Sequence, residues 1–140
     1  VISGEELEEY AASLLDPDTR GFEYTYGERL LAYPSSSVDQ LSYVVGKLGE
    51  CRVSRRAVAT LWCPPVDTRR DEVPCLVLLQ FLVREGRLHL TGVLRSNDMV
   101  RAWPANAYAL AKLMEYVAGR LGVGVGSLTT LSVSAHKYLS

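Results

Sequence analysis

Cys75 occupies the position in this sequence that most readily suggests covalent chemistry. It begins a largely apolar segment, 75 to 96, that a turn at 85–86 divides into two halves. Such a pattern predicts a β-hairpin, in which residues equidistant from the turn face each other at about 5 Å. Cys75 is therefore expected opposite Arg95 or Ser96, depending on the register of the two strands.

This placement gives Cys75 two possible roles. A guanidinium beside a thiol favours the thiolate, which is the nucleophilic form of cysteine. An arginine and a serine at a strand end also form a small site for an anion such as phosphate. The alternative is a structural thiol, because free cysteines are commonly buried and inert.

Composition limits the classes of protein to which the chain can belong. Its 140 residues carry a net charge of −1 and are 48% hydrophobic, which predicts one soluble globular domain. The charge gives no reason to expect nucleic acid as a partner, and no apolar segment is long enough to predict a membrane span. Three cysteines without metal-ligand spacing predict neither a metal site nor a disulfide set, and they favour a reducing cytoplasm.

The elements that would position these residues alternate between helix and strand. They are predicted as a helix at 3–15 opened by a capping box from Ser3 to Glu6, a helix opened by a second box from Ser37 to Gln40, a strand at 57–62, a polar loop at 63–74, the hairpin, a helix at 106–121 ended by Gly122, and a closing strand at 126–140. The pattern predicts mixed α and β structure around one sheet.

Short motifs recur along most of the chain in a fixed order. They are YG at 26–27, VDQL at 38–41, SRR at 54–56, W-x-P at 62–64, PC at 74–75 with QF at 80–81, RS-x-D at 95–98, P-x-N at 104–106 and H-x-Y at 136–138. In this order they resemble the thymidylate synthase family. Each motif alone is weak, but independent chance matches would not be expected to fall in sequence.

The resemblance implies an architecture. The fold would be α/β (α+β), a thymidylate synthase-like mixed β-sheet with helices on one face and a homodimer interface on the other. Residues 1–140 would form a single domain lacking the N-terminal and C-terminal portions of the family. In the family the N-terminal portion supplies a phosphate-binding arginine and a proton-handling glutamate, and the C-terminal portion closes over the substrates. Glu23 and Glu28 are weak candidates to replace the glutamate.

The resemblance also implies a reaction. Cys75 would attack C6 of dUMP, and C5 would take a one-carbon unit from 5,10-methylenetetrahydrofolate or a methanopterin-type analogue. The reduced pterin would then supply hydride, and Tyr26 would take part in proton transfer near C5. No metal is implied.

The remaining roles that the resemblance implies are binding roles. Arg95 and Ser96 would hold the phosphate, Arg55 and Arg56 would reach the phosphate of a second subunit, Asn106 would contact the uracil edge, His136 and Tyr138 would contact the ribose, and Asp98 would contact the pterin. Each residue has a structural alternative: a solvated corner for the tandem arginines, an N-cap for Asn106, strand packing for His136 and Tyr138, and a turn for Asp98.

Four positions depart from the usual pattern of the family. They are Leu76, Leu94, Asn97 and Ala105. Leu94 and Ala105 predict a roomier, less polar pocket, so the pterin or the nucleotide could differ. Two alternative functions therefore stay open: a pyrimidine nucleotide hydroxymethylase, for which Asn106 favours uracil over cytosine, and a noncatalytic nucleotide-binding dimer.

Overall fold

The computed structural model describes residues 2–139. Its elements, in chain order, are α1 (Gly4–Ser13), α2 (Tyr26–Leu31), α3 (Gln40–Glu50), β1 (Val58–Thr60), α4 (Pro64–Asp67), β2 (Leu76–Arg84), β3 (Arg87–Leu94), β4 (Asn97–Asp98), α5 (Trp103–Leu121), β5 (Gly124–Ser132) and β6 (Ala135–His136). None of the helices in this range is both long enough and apolar enough to cross a bilayer.

The central sheet has the order β1-β2-β3-β5. The first three strands pair antiparallel, whereas β5 runs parallel to β3. A parallel partner requires a crossover connection, which α5 provides by returning the chain across the sheet. A second, two-stranded parallel sheet joins β4 to β6. The prediction of mixed α and β structure around a mixed sheet is confirmed.

Helices cover one face of the central sheet. The buried side chains of β2 and β3 point toward α3 and α5, and the core that they form includes Leu79, Phe81, Leu88, Leu90, Leu110, Leu113 and Val117. Alternate residues of the strands point to the other face, because side chains in a strand alternate with a period of two. On that face Leu78 and Leu82 are only half-buried, and Leu131 is 58% exposed.

The hairpin forms at the predicted turn, and a bulge sets its register. Arg84 pairs with Arg87 beside the turn, and Leu78 pairs with Val93. Between Leu78 and Leu76 the register shifts by one residue, so Leu76 pairs with Leu94. An extra residue in one strand has this effect. The backbone N–H of Arg95 consequently donates to the carbonyl of Cys75 at 2.8 Å.

The two capping boxes have different outcomes. Ser3 caps α1 by accepting a hydrogen bond from the Glu6 N–H, as predicted. The prediction that Ser37 caps α3 is wrong, because Asp39 is the N-cap and accepts from the N–H of Ser42. Gln40 is instead buried, where its amide bonds three backbone groups of α2 and β1.

Helix α5 begins three residues before the predicted start. Pro104 lies in the first turn, where a missing N–H costs nothing. Asn106 is therefore inside the helix, and the alternative that it is an N-cap is wrong. Gly122 ends the helix in the left-handed conformation, with φ of 70°, as predicted. The closing segment is two strands rather than one, and Ser140, like Val1, lies outside the described residues.

The predicted loop at 63–74 contains a helix and a buried ion pair. Asp67, at the end of α4, accepts two hydrogen bonds of 2.7 Å from Arg29 of α2, and both side chains are fully buried. Burial by itself would raise the pKa of the Asp67 carboxyl. Hydrogen bonds from Arg29 and from the Cys63 N–H outweigh that effect, so the pKa lies below its usual value.

We expect Asp67→Asn to lower the free energy of unfolding by about 3–5 kcal/mol, because it leaves the Arg29 charge buried and unpaired. Urea denaturation would measure the loss. Glu115→Gln, which breaks an exposed ion pair on α5, is the matched control and should change little. An unchanged urea midpoint for Asp67→Asn would contradict the prediction.

The same pair gives stability a pH dependence. The pKa of Asp67 is lower in the folded state than in the unfolded state. The ion pair therefore makes its full contribution to the free energy of unfolding above about pH 4, the usual aspartate pKa. The contribution is lost as the pH falls through the folded pKa.

Gly27 fixes the approach of α2 to α1. A β-carbon at this position would overlap the backbone carbonyl oxygens of Ser13 and Asp16. Since backbone atoms cannot move aside as a flexible side chain can, α2 would have to shift. The lack of a side chain at Gly27 therefore allows α2 to lie this close to the end of α1.

We expect Gly27→Ala to lower the free energy of unfolding by about 1–3 kcal/mol or more through this overlap. Thermal or urea unfolding would measure it. Gly46→Ala is the matched control, because Gly46 lies on the exposed side of α3 with open space around it. That substitution should stabilise the helix by about 0.5–1 kcal/mol. Equal effects of the two substitutions would contradict the assigned role of Gly27.

Candidate active site

A cavity of about 780 Å³ lies where α1, the start of α5, the head of β2 and the small sheet meet. Seven of the residues singled out from the sequence line it: Tyr26, Cys75, Ser96, Asp98, Asn106, His136 and Tyr138. They come from parts of the chain separated by as many as 112 positions. Only the tertiary fold brings them to one surface.

Cys75 lies immediately before β2, partly accessible from the cavity. Arg95 lies across from it, and its guanidinium donates to the carbonyls of Pro74 at 2.8 Å and Val73 at 3.2 Å. These two hydrogen bonds hold Nη2 of the guanidinium 3.8 Å from the Cys75 sulfur. The predicted juxtaposition is therefore present, although Arg95 flanks the cavity and does not line it.

Tyr26 reaches the same place from the first turn of α2. Its hydroxyl accepts a hydrogen bond of 3.3 Å from the N–H of Leu76, the residue after the cysteine. Burial chiefly, and then the nearby Tyr10 and Tyr24, raise its pKa well above the usual tyrosine value. The phenol thus stays protonated, and Tyr26 forms part of the cavity wall.

Asn106 is held by a residue that sequence reasoning did not single out. The hydroxyl of Tyr10 on α1 donates to Oδ1 of Asn106 at 2.5 Å. Both residues line the cavity, and Asn106 is only 9% exposed. In the sequence, Tyr10 falls on one helical face with Ala11 and Leu14, a spacing that predicts packing against the core. No local pattern indicates a bond across 96 residues.

The small sheet supplies the opposite wall. Asp98 pairs with His136, and the His136 ring packs edge-on against Tyr138 with centroids 5.3 Å apart. Oδ1 of Asp98 accepts from the N–H groups of Val100 and Arg101, which lowers its pKa. The packing and turn roles considered for these residues are therefore present, together with a position on the cavity.

Arg55 and Arg56 lie elsewhere. Both are exposed just before β1, and Gln80 holds that segment by donating to the carbonyl of Arg55 at 2.9 Å. The carbonyl of Ala57, the residue after Arg56, accepts from the N–H of Phe81. Phe81 lies in β2, six residues after Cys75. At about 3.3 Å per residue along a strand, Phe81 lies roughly 20 Å from Cys75. The side chains of Arg55 and Arg56 are therefore too far away to reach the cysteine of their own chain.

The departures from the family pattern have structural consequences. Asn97 is buried and donates from Nδ2 to the hydroxyl of Ser132, which fastens β4 to β5. Leu76 and Leu94 are both buried in the core, and Ala105 lines the cavity. Glu28 does not line the cavity; its carboxylate lies 3.5 Å from Arg29. Glu23 is likewise absent from the cavity wall.

A family model described as thymidylate synthase matches residues 8–140. The chain belongs to the thymidylate synthase family. The matched residues include the seven candidate residues of the cavity and also Tyr10. The fold class expected from the resemblance is confirmed.

Several curated proteins are similar to most of this chain. A "Putative thymidylate synthase" of Methanosarcina acetivorans is 53% identical over 96% of the chain and 62% of the relative. Proteins with the same description are 48% identical in Methanothermobacter marburgensis, over 97% and 60%, and 43% identical in Methanocaldococcus jannaschii, over 95% and 63%. The chain thus spans about three-fifths of the length of the curated relatives it matches.

Proposed function

We propose that the protein containing this chain is a thymidylate synthase-type methyltransferase that converts dUMP to dTMP, with Cys75 as the nucleophile. The observation that carries the proposal is the position of Cys75. A cysteine at the head of a strand opens into a nucleotide-sized cavity beside a fixed guanidinium. Family membership supports methyl transfer in general, and the roles below are part of the proposal.

In the proposed reaction the sulfur of Cys75 adds to C6 of the uracil, which makes C5 a carbon nucleophile. C5 takes the one-carbon unit of a methylene-tetrahydropterin and loses its proton. The tetrahydropterin then supplies hydride, so the products are dTMP and a dihydropterin. Expulsion of the Cys75 thiolate regenerates the enzyme. Tyr26 would take part in proton transfer near C5, a role supported by its position in the cavity wall and by the hydrogen bond that its hydroxyl accepts from the N–H of Leu76.

The polar groups of the cavity suit the rest of the nucleotide. Ser96 in the cavity wall and the guanidinium of Arg95, which flanks the cavity, would bind the phosphate, because a planar guanidinium can form two parallel bonds to phosphate oxygens. Asn106 would contact the uracil edge, and His136 and Tyr138 the ribose. Asp98 would contact the pterin, for which Ala105 leaves space. Whether the carrier is 5,10-methylenetetrahydrofolate or a methanopterin-type analogue would be tested by supplying each.

The proposal includes a homodimer, assembled through the sheet face that none of the helices within residues 2–139 covers. Outward-facing apolar residues lie along it: Val58, Leu78, Leu82, Val93 and Leu131. Exposed apolar surface of this kind is typical of an interface. Arg55 and Arg56 lie too far from their own Cys75, so they are proposed to complete the phosphate site of a second copy. A cytoplasmic location is proposed with it.

Release of tritium from [5-³H]dUMP tests the proposal, because replacement of the C5 hydrogen requires the covalent adduct. We expect release that depends on a methylene donor and yields dTMP. Release with a hydroxymethyl product would favour the hydroxymethylase. Binding of dUMP without release, by the full-length protein with each carrier, would favour the noncatalytic dimer.

A further inference from the structure

The hydrogen bond from Tyr10 to Asn106 determines which way the Asn106 amide faces. A carboxamide has a donor end and an acceptor end of nearly the same shape, so a free side chain can present either one. Here the Tyr10 hydroxyl lies 2.5 Å from Oδ1. The amide group is part of the cavity wall, and its residue is almost fully buried.

The structure gives this bond its direction, with the Tyr10 hydroxyl as donor and Oδ1 of Asn106 as acceptor, and the protonation state of the phenol agrees with it. Burial, followed by the neighbouring Tyr24 and Cys75, raises the pKa of Tyr10 above the usual tyrosine value. The group is therefore a neutral hydroxyl with a proton to donate. Turning the amide over would point its N–H₂ at the hydroxyl and deprive the Tyr10 proton of its acceptor, which is unfavourable in a buried site.

The two pyrimidine bases require opposite orientations of such an amide. Uracil presents an N3–H donor and an O4 acceptor, so it pairs with an amide that aligns oxygen with N3 and N–H₂ with O4. Cytosine presents a bare N3 and an amino group, so it pairs with the same amide turned over. An amide free to turn would accept both bases with similar hydrogen bonding.

We propose that Tyr10 is a specificity-determining positioning residue: by fixing Oδ1 of Asn106, it makes the cavity select a uracil nucleotide over a cytosine nucleotide. The inference rests on the proposed function, in which Asn106 contacts the base edge. It adds a residue of α1 whose effect on the base is exerted through Asn106.

The test compares the affinities of the full-length protein for dUMP and dCMP by isothermal titration calorimetry. Wild type should bind dUMP at least about tenfold more tightly, the effect expected of one mispaired buried hydrogen-bonding group. Tyr10→Phe keeps the ring and removes the hydroxyl, and it should reduce the dUMP/dCMP ratio by about tenfold. Tyr24→Phe is the matched control: it removes another cavity hydroxyl, and the ratio should stay at the wild-type value.

A double-mutant cycle separates positioning from a general effect on structure. In an Asn106→Ala background, Tyr10→Phe should leave the ratio unchanged, since there is no amide to orient. A wild-type ratio retained by Tyr10→Phe would overturn the inference and leave the proposed function intact. Equal wild-type affinities for the two nucleotides would overturn it even if the variant failed to fold. Wild type that binds neither nucleotide would overturn the proposed function as well.

Discussion

Replacing Cys75 by alanine should abolish tritium release from [5-³H]dUMP, lowering the rate by at least about 10³-fold. The substitution removes the only atom proposed to bond covalently to the substrate, and neither the Tyr26 hydroxyl nor the Arg95 guanidinium can replace a thiolate in that step. Because the change is small and Cys75 is only partly buried, the variant should still fold and still bind dUMP.

The matched control is Cys51→Ala. Cys51 is a free, exposed cysteine at the end of α3, remote in the chain from the cavity-lining residues, and it does not line the cavity. This variant should release tritium at the wild-type rate. Loss of activity in both variants would indicate a general effect of removing a thiol, and retention of activity in Cys75→Ala would contradict the proposed mechanism.

Mixing two inactive variants should restore about a quarter of the wild-type activity if the tandem arginines act across a dimer. Arg55→Ala/Arg56→Ala should lower kcat/KM for dUMP by about 10²-fold or more, since two charge-assisted bonds to phosphate are lost. Cys75→Ala lacks the nucleophile. In a hybrid dimer, one site would combine the intact Cys75 of one subunit with the intact arginines of the other. Random assembly makes half of the dimers hybrids, each with one working site.

Arg95→Ala provides the matched control for this mixing experiment. Arg95 lies beside Cys75 of its own chain, so a mixture of Arg95→Ala with Cys75→Ala contains no site with both residues intact. That mixture should remain at the level of the separate variants. Restoration in the control, or no restoration with the tandem arginine variant, would contradict the proposed sharing of the site between subunits.

Local sequence features were sufficient to predict the hairpin and to place either Arg95 or Ser96 opposite Cys75. A turn dipeptide between two apolar runs leaves few pairings, and the spacing limited the partner of Cys75 to two residues. The choice between Arg95 and Ser96 could not be made, because it depends on a bulge between Leu76 and Leu78. A bulge depends on how both strands pack, and the sequence of either strand does not specify it.

Helix ends could be predicted from the sequence where a cap is purely local. The prediction failed where a side chain near the helix end has a distant partner. Ser3 needs only Glu6, three residues away, whereas Gln40 is drawn into the core by backbone groups of α2 and β1. Asp67, in an apparently polar loop, is buried because Arg29, 38 positions earlier, is there to pair with it.

The sequence by itself determined the family, the mixed α and β class and the residues proposed to act on the nucleotide, because side-chain types in a fixed order survive changes elsewhere in the chain. Only the tertiary structure decided that seven of them share one cavity, that Arg55 and Arg56 lie away from it, and that Tyr10 holds Asn106. The physical reason is that hydrogen bonds and close packing act over a few ångströms in space, whatever the separation along the chain.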